Sequence, residues 1–284
     1  MGTSQSSNGP GPGVPLVPPW VPPPPMPDAD SAEPKVPAAP SPVSPAPAHP
    51  NTAPGSLPLA MPGRFGSART SLGKFAKSGE GASLRRGVSH YVAKGYGGRS
   101  TAAKRLEGTA RTAGALHGAL SALATGQPGE FSGSLHRPLL QGRSTREIID
   151  AVVEAVRPVD GTQDAEASRV AVNDSLSDLL ERFPDADLLA LTDDQRALVV
   201  ETYTAEDLFR RLVLDVGKHI QDAAPTASEA LSRLAQIRDY IREVISASFK
   251  RLRDAGTPLT SGHVASAVRS ALSAALEVFE LTRL

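Results

Sequence analysis

Beyond Pro62 the chain reads as an all-α bundle of about seven or eight helices, preceded by a long Pro-rich segment that cannot fold. Three observations carry this expectation. Apolar residues after Arg64 recur at helical spacing, and no alternating run suggests a sheet. Ser/Thr followed three residues later by an acid or Gln recurs where helices should begin. Twenty of the 26 prolines lie between Pro10 and Pro62, in runs of Pro, Ala, Ser and Val that offer too little apolar burial to offset backbone ordering.

The elements follow in order. Residues 1–20 form a distinct leader, and residues 21–62 a tether of polyproline-II character, semi-flexible because Ala, Ser and Gly interrupt it. Fully extended at about 3.1 Å per residue, residues 14–62 would span on the order of 150 Å. A basic helical segment, residues 63–126, comes next. Leu84, Val88, Tyr91 and Val92 make a short stripe there. Leu106, Ala110, Ala113, Leu116, Leu120 and Leu123 make a longer one, whose small residues permit close helix approach. Gly108, Gly114 and Gly118 weaken that helix by roughly 1 kcal/mol each, so tertiary packing must hold it, and Gly126-Gln127-Pro128-Gly129 ends it.

Residues 143–284 are an acidic helical bundle. Ser144 and Glu147 open a helix striped by Ile148, Ile149, Val152, Val153 and Val156, which Pro158 closes. Val172, Leu176, Leu179, Leu180 and Phe183 mark a second, stopped near Pro184. Thr192 with Gln195 and Thr204 with Asp207 are expected to start two more, the latter burying Leu208, Phe209, Leu212, Val216 and Ile220. Thr226 with Glu229 opens a long helix with Leu234, Ile237, Ile241, Ile245, Phe249 and Leu252 on one face, ended by Gly256 and Pro258. Val264, Val268, Leu272, Leu276 and Phe279 define the last.

Composition narrows the function. The chain has no cysteine, which excludes disulfides, thiol catalysis and thiolate metal sites. No apolar run approaches the roughly 18 residues of a membrane span, and the N-terminus lacks a secretory pattern, so a cytoplasmic location with no membrane partner is expected. Arginine outnumbers lysine 23 to 7, a bias consistent with a GC-rich bacterial genome. The formal net charge of zero hides a segregation: residues 1–60 sum to −2, residues 61–145 to +10 and residues 146–284 to −8. The basic part can dock on the acidic half, or face nucleic acid or an acidic partner.

No enzyme constellation stands out, and no cofactor or metal is expected. The six histidines are scattered, and His117 reads as a hydrogen-bonded core residue. Asp185, Asp187, Asp193 and Asp194 occupy turn and helix-start positions where carboxylates cap amides. Gly95-Tyr96-Gly97-Gly98-Arg99-Ser100-Thr101 lacks P-loop spacing and reads as a turn with Ser100 or Thr101 as N-cap. From Arg64 to Arg111, eleven Lys/Arg stand against two acids, interleaved with Phe65, Phe75, Tyr91 and Tyr96. Arg85, Arg86, Lys94, Arg99, Lys104 and Arg105 are therefore candidates for nucleic-acid contact, with a solvated or internally docked face as the structural alternative.

The leader offers another function. Met1 is readily removed before a small residue, which would leave Gly2 with a free amine that is partly neutral at physiological pH. Gly2 to Ser6 also fits the N-myristoylation pattern, and a plain low-complexity leader is a further reading. Met1-Gly2-Thr3-Ser4-Gln5-Ser6-Ser7, then Gly9-Pro10-Gly11 and Val14-Pro15-Leu16-Val17-Pro18-Pro19-Trp20, resembles the start of the QatB family of the bacterial Qat antiphage defence system. Gly63-Arg64-Phe65 with Ala68-Arg69, and Tyr91-Val92 with Gly95-Tyr96-Gly97-Gly98, resembles that family's first folded segment. The resemblance implies a noncatalytic component acting beside an ATPase (QatA), a QueC-like enzyme (QatC) and a TatD-like nuclease (QatD). It further implies that Gly2 accepts a 7-deazaguanine carboxylate activated by the QueC-like partner, with Thr3, Ser4, Ser6, Gly9, Pro10, Pro18, Pro19 and Trp20 recognised by that partner. The helical body would be the adaptor. A nucleic-acid-binding helical protein using residues 64–111 is the alternative.

Overall fold

In a computed structural model that describes residues 63–126, 135–256 and 262–281, every regular element is helical. The chain divides into Met1–Leu57 and Pro58–Leu284, and all described residues belong to the second unit. The leader and tether, with Gly2, Thr3, Ser4, Ser6, Gly9, Pro10, Pro18, Pro19 and Trp20, lie outside the described residues, as do Gln127 to Gly129.

Helix α1 (Gly66–Ser78) buries Ala68, Leu72, Phe75 and Ala76 and stops at Gly79, whose φ of 73° lets its N–H return to the Phe75 carbonyl. Only glycine enters that left-handed conformation without steric cost. Helix α2 (Gly81–His90) folds back against α1 and continues into a π turn, Tyr91–Gly95. The two helices approach closely because Gly87 has no side chain: a Cβ there would stand 2.5 Å from Leu72 Cδ2.

Helix α3 (Arg99–Arg105) is a single short piece, and α4 (Glu107–Thr125) is the central rod. α4 buries Ala110, Ala113, Leu116, Leu120 and Leu123, as its stripe predicts. Its small residues admit a close neighbour, since a Cβ at Gly114 would lie 3.3 Å from the Ala265 Cβ of the last helix. Gly126, at φ 68°, terminates it.

A four-residue turn, α5 (Arg137–Leu140), leads to α6 (Thr145–Val156), which opens with the expected capping box: Ser144 accepts from the Glu147 N–H and the Glu147 carboxylate accepts from the Ser144 N–H. Helix α7 (Gln163–Arg182) is capped by Thr162 and ends before Pro184. Phe183, expected on its buried stripe, is instead its C-cap and 40% exposed, because the chain leaves the helix there with φ −130°. Helix α8 (Asp193–Leu212) opens with the Thr192–Gln195 capping box. It passes through a second π turn, Val213–Gly217, into α9 (Lys218–Ala223).

The helix start expected at Thr204 and Asp207 is overturned. Both residues are fully buried in the middle of α8. Thr204 donates its hydroxyl to the Val200 carbonyl one turn back, 2.7 Å, so it satisfies itself inside the helix instead of capping a new one. Helix α10 (Ala227–Asp254) starts at the Thr226 cap and buries Ile237, Ile241, Ile245 and Phe249. Helix α11 (Val264–Leu281) buries Val264, Val268, Leu272, Leu276 and Phe279. Eight of these helices have ten residues or more, in keeping with the expected bundle.

One hydrophobic core runs through both the basic segment and the acidic half. Helix α4 packs against α8 and α11, α1 against α9, and α11 against α2 and α3. At about 1.5–3 kcal/mol for each fully buried large aliphatic or aromatic side chain, this apolar seam, and not charge attraction, joins the two.

Candidate functional site

The basic candidates divide by environment. Arg85 and Arg86 project from the outer face of α2, opposite Leu84 and Val88. Lys94 on the π turn and Lys104 on α3 are also exposed, and Arg105 is half-buried. Arg99 instead pairs with Glu277 of α11 at 3.0 Å, both about half exposed. Among the described residues Arg85, Arg86, Lys94, Lys104 and Arg111 make no ion pair or hydrogen bond. The interleaved aromatics do not join that surface. Phe65, Phe75, Tyr91 and Tyr96 are all buried, so they cannot supply the base stacking that single-stranded nucleic acid uses. What remains is a set of solvated cations suited to phosphate contact.

The glycine-rich turn is likewise reassigned. Gly98, at φ 94°, is the N-cap of α3, and neither Ser100 nor Thr101 caps it. Its N–H is already used by the Val92 carbonyl at 3.1 Å. The turn reverses the chain in a conformation that only glycine adopts freely.

The three buried aromatics at the start of the body form a cluster tying the two π turns together. Phe65 stacks on Tyr91 at 5.1 Å, and Tyr96 meets both edge-on. Arg64 sits 4.5 Å over the Phe65 ring. Tyr91 of the first π turn donates 2.8 Å to Asp215 Oδ2 of the second, and Arg69 donates to the Asp215 backbone carbonyl at 3.0 Å. Burial raises the Asp215 carboxyl above the ordinary carboxylate range, and the Tyr91 hydrogen bond with Arg64 and Arg69 nearby only partly opposes it. Burial, with Tyr96 and Asp215 beside it, raises the Tyr91 phenol well above its usual value. Each π turn ends in glycine for a steric reason: a Cβ at Gly95 would strike the Phe65 ring, and one at Gly217 would lie 2.8 Å from Val213 Cγ1. π insertions of this kind recur at functional positions.

A second polar seam occupies α8. Asp207, fully buried, accepts from Thr109 of α4 at 2.6 Å and from Arg211 Nε at 3.0 Å, while Arg211 Nη1 reaches Asp164 of α7 at 2.8 Å. Glu206, equally buried, accepts from Arg238 at 2.7 Å and Arg242 at 2.8 Å, both on α10. Arg210 pairs with Asp174. The sequence did signal these positions: Glu206 and Asp207 fall seven residues after the buried Val199 and Val200, on the same helix face. Each carboxylate is held by a guanidinium through one oxygen, an arrangement that fixes helix positions, while Glu206 Oε2 and Asp207 Oδ1 are buried without a hydrogen-bond partner.

Asp187 accepts from the Leu189 N–H, and Asp193 and Asp194 occupy the first turn of α8, as expected of capping carboxylates. His117 is buried with Nδ1 3.4 Å from the Ser121 hydroxyl, and burial lowers its pKa, followed in weight by the nearby Arg196. Among the described residues no group of three metal-ligating side chains assembles, and no helix is long and apolar enough to cross a membrane. Phe209, expected in the core, is only partly buried. It lines an apolar groove of about 570 Å³ with Val170, Leu214 and Leu234.

No curated protein and no solved structure matches the chain. The family described as Qat anti-phage system associated protein QatB matches residues 97–279, well over half of the chain. The match covers most of the helical body, from the turn before α3 to the last helix, and so rests mainly on the acidic half. Residues 1–20 and 63–96, from which most of the sequence resemblance was drawn, lie outside it. The chain therefore belongs to the QatB family of the Qat anti-phage defence system.

Proposed function

We propose that this protein serves its defence system as a noncatalytic adaptor whose leader is a conjugation substrate. The observation that carries the reading is family membership, which makes the chain a component of the Qat anti-phage system. The finer assignment is supported by two features. The leader combines a small residue after Met1 with a specific-looking peptide and a Pro-rich tether, and the buried acids of the body are held by arginines and hydroxyls of other helices. With Met1 removed, the Gly2 α-amine attacks a 7-deazaguanine carboxyl that the QueC-like enzyme has activated with ATP. An amide bond forms, the adenylate departs and the amine loses a proton to solvent. QatC is the partner of the leader in this reading, with QatA and QatD as further partners of the helical body.

Intact and peptide mass spectrometry of the N-terminus tests it, comparing cells that carry the whole system with cells lacking the QueC-like gene. A partner-dependent mass addition on Gly2 is expected. Loss of Met1 alone in both strains would refute the substrate role.

The second reading, nucleic-acid binding through the basic segment, is favoured by Arg85, Arg86, Lys94 and Lys104 standing exposed without partners among the described residues. Deleting residues 2–20 abolishes defence under the first reading and spares nucleic-acid binding under the second. Neutralising Arg85, Arg86, Lys104 and Arg105 does the converse.

A further inference from the structure

Between α4, the end of α6, α7 and α8 lies a polar cavity of about 270 Å³ that neither reading uses. Gly108, Arg111 and Thr112 of α4, Arg157 after α6, Ser168 of α7 and Arg211 of α8 line it, and no carboxylate does. Each guanidinium retains uncommitted donors. Arg211 is fixed through Nε to Asp207 and through Nη1 to Asp164. Its Nη2 is left free, 4.0 Å from where a Cβ at Gly108 would stand. Arg157 gives Nη2 to Asp160, while its Nε is buried without a hydrogen-bond partner. Arg111 is exposed and makes no hydrogen bond or ion pair among the described residues.

Hydroxyls complete the wall. Ser168 and Thr112, both buried, stand in the cavity wall, and the Ser168 hydroxyl lies 2.8 Å from the Tyr203 hydroxyl. Gly108 keeps the space open, because any side chain there would enter it. Asp160 on Arg157, and Asp164 and Asp207 on Arg211, offset the charge of those two guanidiniums but stay outside the lining, so the cavity presents guanidinium donors from three sides, with the charge of Arg111 unpaired among the described residues.

We infer that this cavity binds a small phosphate monoester. Guanidinium forks match phosphate oxygens in geometry and charge, and the volume falls just below the roughly 300–1,000 Å³ of pockets for drug-sized ligands. Inorganic phosphate and the phosphate end of a mononucleotide meet both conditions. The cations at Arg85, Arg86, Lys94 and Lys104 do not line this site.

Isothermal titration of the full chain with inorganic phosphate, adenosine 5′-monophosphate and adenosine, at fixed ionic strength, tests the inference. Saturable binding of the first two and none of adenosine is expected. Arg111→Ala should weaken both by about tenfold or more through loss of a charge-assisted contact, and Gly108→Val should block binding while leaving every charge in place. Lys250→Ala, which removes an exposed cation of α10 outside the cavity, should change nothing. Circular dichroism identifies variants that retain the fold. Absence of saturable heat up to about 10 mM ligand, adenosine binding as well as its monophosphate, or equal loss in Arg111→Ala and Lys250→Ala would each overturn it.

Discussion

Replacing Asp207 with alanine should destabilise the body far more than replacing Asp164, although both carboxylates hold the same arginine. Asp207 is fully buried and serves two donors, the Thr109 hydroxyl at 2.6 Å and Arg211 Nε at 3.0 Å. Removing it leaves Arg211, itself only 11% exposed, with the exposed Asp164 as its remaining carboxylate, and breaking one side of a buried pair costs up to about 3–5 kcal/mol. The abandoned Thr109 hydroxyl, also fully buried, adds to that figure within its range. Asp164 is 62% exposed, and an exposed pair is worth about 0–1 kcal/mol. Urea unfolding of the full chain reads the difference. With m of about 1–3 kcal/mol/M, Asp207→Ala should lower the midpoint by roughly 1–5 M and Asp164→Ala by a few tenths. Asp207→Leu combined with Arg211→Met should recover much of the loss, since an apolar pair leaves no stranded charge. Equal midpoints for the two single variants, or no recovery in the double, would refute the view that burial sets the value of this seam.

Three further outcomes follow from other parts of the body. Gly87→Ala should cost about 1–3 kcal/mol by overpacking, because its Cβ meets Leu72 Cδ2 at 2.5 Å and the Leu72 backbone nitrogen at 3.2 Å; a thermal melt showing the usual helix-stabilising gain of alanine would contradict the close α1–α2 contact. Ser144→Ala should cost about 1 kcal/mol by opening the cap of α6, read as a small drop in the urea midpoint. Asp215 introduces a pH dependence of determinate sign: its native pKa is raised, chiefly by burial, so its contribution is fully present below the unfolded pKa near 3.9 and is lost as pH rises through the native value. The stability of Asp215→Asn relative to the parent should therefore grow as pH rises through that window, and a constant difference across it would show that Asp215 titrates normally.

The sequence made the bundle legible wherever a helix start is local chemistry. Ser144–Glu147, Thr192–Gln195 and Thr226–Glu229 each satisfy an amide three residues away, which a short window can reveal. Thr204 and Asp207 carry the same pattern and mislead because neither caps a helix start: Thr204 bonds back one turn to Val200 inside the helix, and Asp207 is held by Thr109, 98 residues earlier. The first π turn escaped because Gly95 is dictated by its contact with Phe65, 30 residues earlier, while the second, where Gly217 meets Val213 of the same turn, carries no sequence pattern that separates it from an α-helix. Phe65, Phe75, Tyr91 and Tyr96 looked like partners of the neighbouring arginines, but alternation along the chain places them on the inner face and the cations on the outer one. The cavity at Arg111, Arg157 and Arg211 was invisible because its three guanidinium groups come from separate helices.

The charge segregation gains a sharper meaning from these pairings. In the acidic half, several acids are engaged by its own arginines: Glu154 by Arg169, Asp174 by Arg210, Glu206 by Arg238 and Arg242, and Glu201 by Arg253. Between the basic segment and that half, side-chain ion pairs reduce to Arg99–Glu277 and Glu107–Arg269 among the described residues, both solvent-exposed. Such exposed pairs contribute little, so apolar packing of α4 on α8 and α11 does the joining and leaves Arg85 and Arg86 of α2 and Lys104 of α3 without an ion pair among the described residues. A body assembled in this way keeps its basic face available to a partner without weakening its own core. Charge reversal at Arg85 and Arg86 should consequently leave the unfolding free energy within about 0.5 kcal/mol of the parent while weakening the binding of any acidic partner that uses this face. A large loss of stability in that variant would mean that these arginines are structural and that the basic face is not free.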